Sequence, residues 1–432
     1  MKIVCFSWIF LFVSLSRTSR SGLLVTMNMI ENRTKTEKVV IVGLMTAEDE
    51  PALFEEDIAE MQMLCTTAGA TIISTIIQKR DVPVTSTYIG PGKLEEIKGI
   101  MHSNECDTLI IDAQLSPGQV KNIEKIINGK VIDRPQLILD IFAKNARTNE
   151  SRIQVELAQM RALYPRLTHA WTHFSSQVGG IGTKGPGEKQ LEVDRRLVQK
   201  KISDLKNRLE KVEKNRKVQS SSRSDVFRAA LVGYTNVGKS SLLNGLCGSQ
   251  VLVENKLFAT LDTATRRAYI QGVGNIVISD TVGFLRKLPH DLVASFRSTL
   301  SVAADAQLLI VVMDASSAWV DQHLATVTNV LKELDADKIP KIIVFNKIDC
   351  VKDQFARKKL QLDYPHCVFT SAFCKEDITA LKARIAEQVI EYRKEMSREA
   401  IIHQESKKKK KTDEWTPENF SHDDPDAPPF MD

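Results

Sequence analysis

One short segment restricts the fold more than any other. "FRAALVG" (227–233) is an apolar run, "GYTNVGKS" (233–240) continues from it, and "SLLNGL" (241–246) is an apolar stretch long enough to open a helix. The pattern G-x-x-x-x-G-K-S set between a strand and a helix asks for a turn whose backbone N–H groups converge, which is the strand–loop–helix unit of a parallel sheet. Such a turn is a cradle for phosphate. The loop amides and the helix N-terminus supply positive potential, Lys239 can reach β and γ oxygens, and the Ser240 hydroxyl is a Mg²⁺ ligand of the right hardness.

Four further motifs follow that suit this cradle. "ISDTVG" (278–283) puts Asp280 at a strand end, placed to hold Mg²⁺ through water, and Gly283 where its N–H can approach a γ-phosphate. "LFATLDTATRR" (257–267) is a Thr-rich candidate switch loop, in which Thr260, Thr263 and Thr265 stand equally as Mg²⁺ ligands by spacing. "NKID" (346–349) offers the two acceptor oxygens of Asp349 to the N1–H and 2-amino group of guanine, a donor pair that adenine lacks. Asn346 can serve O6/N7 and the loop itself, the Lys347 stem can lie over the base, and "TSAF" (370–373) brings the Ala372 N–H near O6. Each motif is cheap alone. "GYTNVGKS", "ISDTVG", "NKID" and "TSAF", in this order and each after a strand, specify a guanine nucleotide, GTP or GDP.

The remaining apolar runs complete the organisation. "NIVISD", "AQLLIVVMD", "KIIVFNKID" and "CVFTSA" alternate with helical stretches, so residues 226–392 form a parallel-sheet P-loop domain. "KVVIVGLMT", "TIISTIIQ" and "CDTLIID" alternate with "FEEDIAEMQMLCTTAG" and "SPGQVKNIEKIING", so residues 38–140 form a smaller α/β domain with its own parallel sheet. "YIGPGK" (88–93) reads as one of its loops, and Gly69 as a helix C-cap.

Between the two domains, 141–218 reads as an antiparallel helical hairpin. Ile153, Leu157, Met160 and Tyr164 mark the first helix, which Pro165 is expected to stop. Val198, Ile202, Leu205, Leu209 and Val212 mark the second, which is rich in Lys and Arg. The stretch joining them packs Gly179, Gly180, Gly182, Gly185 and Gly187 into nine residues. It is either a plain linker or a probe of a nucleic-acid backbone, with Lys184 and Lys189 for phosphates and Trp171, His173 or Phe174 for stacking. Basic helices and flanking aromatics favour the probe.

Net charge is only +5, from 59 Lys and Arg against 54 Asp and Glu, so overall charge selects no partner. The seven cysteines form no C-x-x-C pair, which argues against a disulfide framework or a zinc site and for a reduced cytoplasmic setting. Residues 1–37 are read as an over-called or disordered N-terminus. "MKIVCFSWIFLFVSLSR" is short for a span and lacks a small-residue cleavage site, so a start at Met27 or Met29 is preferred to a membrane anchor. Residues 393–432, a Lys run and then an acidic, Pro-rich end, are expected to be disordered.

With these residues in view, the chain resembles the HflX family of translational GTPases, within the wider Obg-like group. The likeness runs over about residues 38–392. It rests on "IGPGK", "SPGQ", "DRPQLILDIFAKNART", "QVELAQMRALYPRL", "GGIGTKGPGEKQLEVDRR", "GYTNVGKSSL", "LFATLDTATRR", "DTVGFLRKLP" and "FNKID". Lys184, Lys189 and Thr263 depart from the family's usual pattern.

The resemblance implies that Thr260 is the switch threonine on Mg²⁺, and that Lys239, Thr260 and Gly283 are the catalytic positions. It implies a nucleotide-binding set of Gly233, Tyr234, Thr235, Asn236, Val237, Gly238, Lys239, Ser240, Phe258, Ala259, Thr260, Leu261, Asp262, Asp280, Thr281, Val282, Gly283, Asn346, Lys347, Ile348, Asp349, Ser371, Ala372 and Phe373. It also implies binding to the large ribosomal subunit with the hairpin near ribosomal RNA, and a role in splitting or rescuing stalled or stressed ribosomes; a monomer is expected. Whether the N-terminal domain uses ATP is left open, since the chain has no second P-loop.

Phe284 follows Gly283, at the place where many GTPases carry a glutamine that orients the attacking water. Hydrolysis is therefore expected to be slow alone rather than absent. The ribosome could supply the missing group. So could K⁺ held by Asn236, which is equally readable as an ordinary loop residue. Arg266 and Arg267 are more readily solvated than used as an internal finger. The alternative is a GTP-gated binding switch with negligible turnover.

Overall fold

The computed structural model describes residues 36–170, 186–221, 226–248, 257–258, 260–287, 289 and 297–413. The described residues from Glu37 onward form one compact unit. Its first part is β1 (Lys38–Met45), α1 (Pro51–Ala68), β2 (Thr71–Lys79), α2 (Pro91–Ser103), β3 (Thr108–Ile111), α3 (Pro117–Ile127), β4 (Lys130–Asp133) and α4 (Arg134–Asn145). The four strands lie parallel in the order β2-β1-β3-β4. β1 and β3 are buried almost throughout, which is what a sheet covered by helices on both faces requires of its central strands.

Local signals account for the helix ends. Gly69 closes α1 at φ +93, and its N–H bonds back into the last turn. Ser116 and Gln119 form a reciprocal capping box at α3. "IGPGK" is not a free loop. Gly90 is the N-cap and Pro91 the first residue of α2, and Lys93 is paired with Glu96 at 2.7 Å. The Gly-Pro step marks a helix start because Pro has no N–H to lose there.

The hairpin is α5 (Asn149–Ala170) and α6 (Pro186–Ser221). Ile153, Leu157 and Leu205 form its buried seam, with Met160, Ile202 and Leu209 against it. Lys201 pairs with Glu156, and Arg195 lies against Tyr164, so the two helices run antiparallel. Pro165 does not stop α5, which continues to Ala170. The ring deletes one backbone bond, but α6 still grips the helix at that level, where the Arg195 guanidinium sits 5.4 Å from the Tyr164 ring centre. Trp171, His173, Phe174 and Lys184 lie outside the described residues, as do the glycines up to Gly185 and residues 1–35.

The second sheet is built from β5 (Arg228–Gly233), β6 (Ala264–Ile270), β7 (Gly274–Asp280), β8 (Leu308–Asp314), β9 (Lys341–Asn346) and β10 (Val368–Phe369), in the order β10-β9-β8-β5-β7-β6. Its helices are α7 (Lys239–Cys247), α8 (Arg297–Ala304), α9 (Val320–Glu333), α10 (Gln354–Asp363) and α11 (Lys375–Asp413). The sheet is mixed rather than all parallel, since β6 runs antiparallel to β7 at one edge. The expected switch loop is correspondingly shorter, because Ala264–Arg267 belong to β6, where Arg266 and Arg267 are exposed.

The C-terminal stretch is also corrected. α11 continues through residues 393–413, because Lys, Glu and Ala extend a helix already nucleated and packed without a second nucleation cost.

One apolar core joins the two sheets. Residues of β1, α1 and α4 share a buried cluster with β5, α7 and β8. Among the described residues no helix is long and apolar enough to cross a membrane.

Candidate functional site

The cleft opens at the C-terminal ends of β5, β7 and β9 and encloses about 400 Å³. It lies beside the place where the strand order reverses, the usual ligand position in such sheets. Thr235, Asn236, Gly238, Lys239, Ser240, Phe258, Thr260, Thr281, Gly283, Asn346, Lys347, Asp349, Ser371, Ala372 and Phe373 all line it. Five motifs spread over some 140 residues of sequence meet here. Ser241 and Cys350 line it as well. They are immediate neighbours of the motifs, and adjacency was the signal for them.

Two glycines make the cradle possible. Gly238 has φ +89, and a Cβ there would stand 2.3 Å from Asn346 Nδ2. A Cβ on Gly283 would meet the Thr235 backbone at 2.7 Å and Lys239 Nζ at 2.9 Å. Lys239 is 6% exposed, and its Nζ donates to the carbonyls of Gly233 (3.2 Å) and Tyr234 (2.7 Å). Burial lowers its pKa to about 8, and the neighbouring Asp280 carboxylate only partly opposes this.

Ser240, Thr260 and Asp280 form an oxygen cluster. Ser240 Oγ lies 2.9 Å from Thr260 Oγ1 and donates to Asp280 Oδ2 at 2.5 Å. Burial raises the Asp280 pKa against the pull of Lys239 and Ser240. Asp280 Oδ1 is buried without a hydrogen-bond partner. Hard oxygen donors with one buried acceptor unspent fit Mg²⁺. Spacing left three threonines open, and it is Thr260 that reaches Ser240.

The base end differs from the motif-based expectation. Asn346 uses both ends of its amide within the protein, Nδ2 donating to Val237 O (2.8 Å) and Oδ1 accepting from Ala372 N (3.1 Å). It is a clasp between two loops, so the Ala372 N–H is held by Asn346 rather than left free for O6. Lys347 adopts φ 62 and is pinned by Asp314 at 2.7 Å, which lays its stem along the cleft. Asp349 is exposed at the rim, and Asp377 fixes the opposite wall by accepting from Ser371 N at 2.7 Å.

Several of the expected residues support the cleft from outside. Gly233 contributes the carbonyl that Lys239 uses. Val237, Leu261, Val282 and Ile348 are buried in the core. The Asp280 carboxylate lies behind Ser240. Asp262 turns away to accept from the backbone of Arg147 and Thr148. Tyr234 also points away, its hydroxyl donating to Glu60 and accepting from Arg286 N (2.8 Å), with its ring stacked on His323. Ala259 lies outside the described residues.

Phe284 is 1% exposed. Its backbone pairs with the phosphate loop, Phe284 N donating to Gly233 O and Thr235 N to Phe284 O, while the ring enters the core. The side chain serves to anchor the loop after Gly283 and does not enter the cleft.

Three family models match successive parts of the chain. They are a GTP-binding GTPase N-terminal region at 55–143, a GTP-binding GTPase middle region at 145–223 and a 50S ribosome-binding GTPase at 228–347. GTPase HflX of Flavobacterium psychrophilum is 45% identical over 325 residues, spanning 75% of this chain and 78% of that protein. GTPase HflX of Escherichia coli is 44% identical over 319 residues, spanning 73% and 74%. The chain belongs to the GTPase HflX family. A GTP-binding protein from Sulfolobus solfataricus, crystallised with GDP, is 25% identical over 83% of this chain and all of that one, with a TM-score of 0.43.

Proposed function

We propose that this HflX-family chain is a GTPase of the large ribosomal subunit, whose slow intrinsic hydrolysis is stimulated there and whose cycle serves the splitting or rescue of stalled ribosomes. It binds GTP and GDP and converts GTP to GDP and phosphate. The observation that carries the ribosomal reading is the match of residues 228–347 to a 50S ribosome-binding GTPase, together with the basic antiparallel hairpin attached to that domain.

The chain's own residues divide the work. Loop amides and Lys239 bind and orient the phosphates, and Gly283 gives its N–H to the γ-phosphate without a Cβ in the way. Asp349 selects guanine, and Asn346 keeps the phosphate loop in register with the loop carrying Ala372. Ser240 and Thr260 would hold Mg²⁺, with Asp280 behind them, and the ion would neutralise charge on the β- and γ-phosphates. Asn236, at φ 59 on the cleft wall, is where K⁺ would assist. No described side chain of the segment after Gly283 is aimed into the cleft, which supports a partner-supplied group for orienting the water. A monomer working in the cytoplasm completes the reading.

The test is multiple-turnover GTP hydrolysis in K⁺ buffer, with and without purified large ribosomal subunits. Strong stimulation is expected. GTP binding without turnover in either condition would make the protein a binding switch and remove the ribosome-stimulated reading.

A further inference from the structure

The switch loop is tied to the hairpin by a group that does not line the cleft. Asp262 lies two residues beyond Thr260, and its carboxylate accepts hydrogen bonds from Arg147 N (2.9 Å), Thr148 N (3.1 Å) and Thr148 Oγ1 (2.6 Å). Thr148 is the residue just before α5, and its hydroxyl also accepts from Ser151 N at 3.2 Å, so it caps that helix. Burial works against the Asp262 charge, but hydrogen bonds from Ser151, Thr148 and Arg147 outweigh it and hold the carboxyl below its usual range. A second tie lies alongside. Asn145 Nδ2 donates to Phe258 O at 2.7 Å, and the Phe142 and Phe258 rings meet edge to face at 4.6 Å. The loop bearing Thr260 thus rests on the junction of α4 and α5, while Thr260 itself faces Ser240.

We propose that Asp262 is a positioning residue: by clamping its loop to the N-terminal end of α5 it holds Thr260 at Ser240, and the same clamp couples the γ-phosphate to the helical hairpin. The inference rests on the reading of Thr260 as the switch threonine, which would hold Mg²⁺ while a γ-phosphate is present and let go after hydrolysis. The coupling follows from geometry, because only Leu261 lies between the two anchors and neither can move far alone. It is also reciprocal: whatever shifts the start of α5 changes how well Thr260 is held, and therefore GTP affinity relative to GDP.

The experiment uses the full chain carrying Asp262→Ala, Asp262→Asn, Thr148→Val or Thr260→Ala. Asp262→Ala is expected to lower kcat on the order of tenfold or more, as a misplaced catalytic group does, while GDP affinity and melting temperature stay near wild type. Asp262→Asn keeps an acceptor for the two backbone N–H groups and should restore much of the rate. Thr148→Val should act in the same direction with a smaller loss. The second readout is hydrogen–deuterium exchange over residues 146–152. In the wild type it should be slower with Mg²⁺ and a non-hydrolysable GTP analogue than with Mg²⁺ and GDP, and Asp262→Ala should abolish that difference. An unchanged kcat or an unchanged exchange difference in Asp262→Ala overturns the clamp. So does a parallel fall in kcat, GDP affinity and melting temperature without rescue by Asp262→Asn, which would mark a structural role only. If Thr260→Ala itself keeps full activity, the reading of Thr260 fails, and the clamp fails with it.

Discussion

Replacing Arg134 with Met should destabilise the fold by about 3–5 kcal/mol at pH 8, the usual consequence of removing one partner from a buried ion-pair network. Arg134 is 1% exposed. Its guanidinium pairs with Glu60 and with Asp112 (2.6 Å) and donates to Arg286 O (3.1 Å), linking β3 and α1 to the segment after Gly283. Met roughly preserves side-chain volume, so the loss arises from stranded carboxylates rather than from a cavity. The pH dependence carries the sharper test. Burial raises the Glu60 pKa, while Arg134, and after it Tyr234, pull it down. Without Arg134 the folded-state pKa of Glu60 rises further. A carboxyl whose folded pKa lies above its unfolded value of about 4.3 contributes stability at low pH and loses it as pH rises through the folded pKa. The gap between wild type and variant should therefore be widest near pH 8 and narrow toward pH 5.5 by at least ~1 kcal/mol, roughly the worth of one pKa unit. Guanidinium denaturation of both proteins at the two pH values measures it. A gap that is the same at both, or below ~1 kcal/mol at pH 8, would refute the assignment of Arg134 as the neutralising partner.

Nucleotide binding should take up protons near pH 8, because Lys239 has a pKa of about 8 in the free cleft and becomes fully charged against phosphate. Calorimetric titration of GDP in buffers of differing ionisation enthalpy should show uptake of about half a proton at pH 8 and almost none at pH 6.5. Asp349→Asn should weaken GTP binding on the order of a hundredfold through the lost acceptor pair. Folding stability should stay within about 0.5 kcal/mol, since the side chain is exposed at the rim. Asn346→Ala should lower stability by about 2–3 kcal/mol, because Val237 O and Ala372 N lose their partner, and denaturation in the absence of nucleotide measures that loss.

The sequence by itself determined the parts whose chemistry is local. "GYTNVGKS" specified a strand, a phosphate turn and a helix, because a turn with positive φ at Gly238 and a Lys and Ser at its end has few other uses. Apolar periodicity located the strands and the hairpin seam. Local signals misled at Pro165 and at "IGPGK", where neighbours decided the outcome, and at residues 393–413, where charge suggested disorder but the residues continue a helix already begun. α6 holds α5 past its proline, Gln78 receives the N–H of Gly90 at a helix start, and α11 carries a charged stretch onward as helix. Only the tertiary structure decided which threonine faces Ser240, that Asn346 clasps two loops, and that Phe284 turns into the core. It alone brought Tyr234 to Glu60 across 174 residues, and Asp262 to Thr148 across 114. The reason is physical. A polar side chain carries the same hydrogen-bonding capacity wherever it falls in the sequence, and what it bonds to is set by which chain segment packing brings within 3 Å.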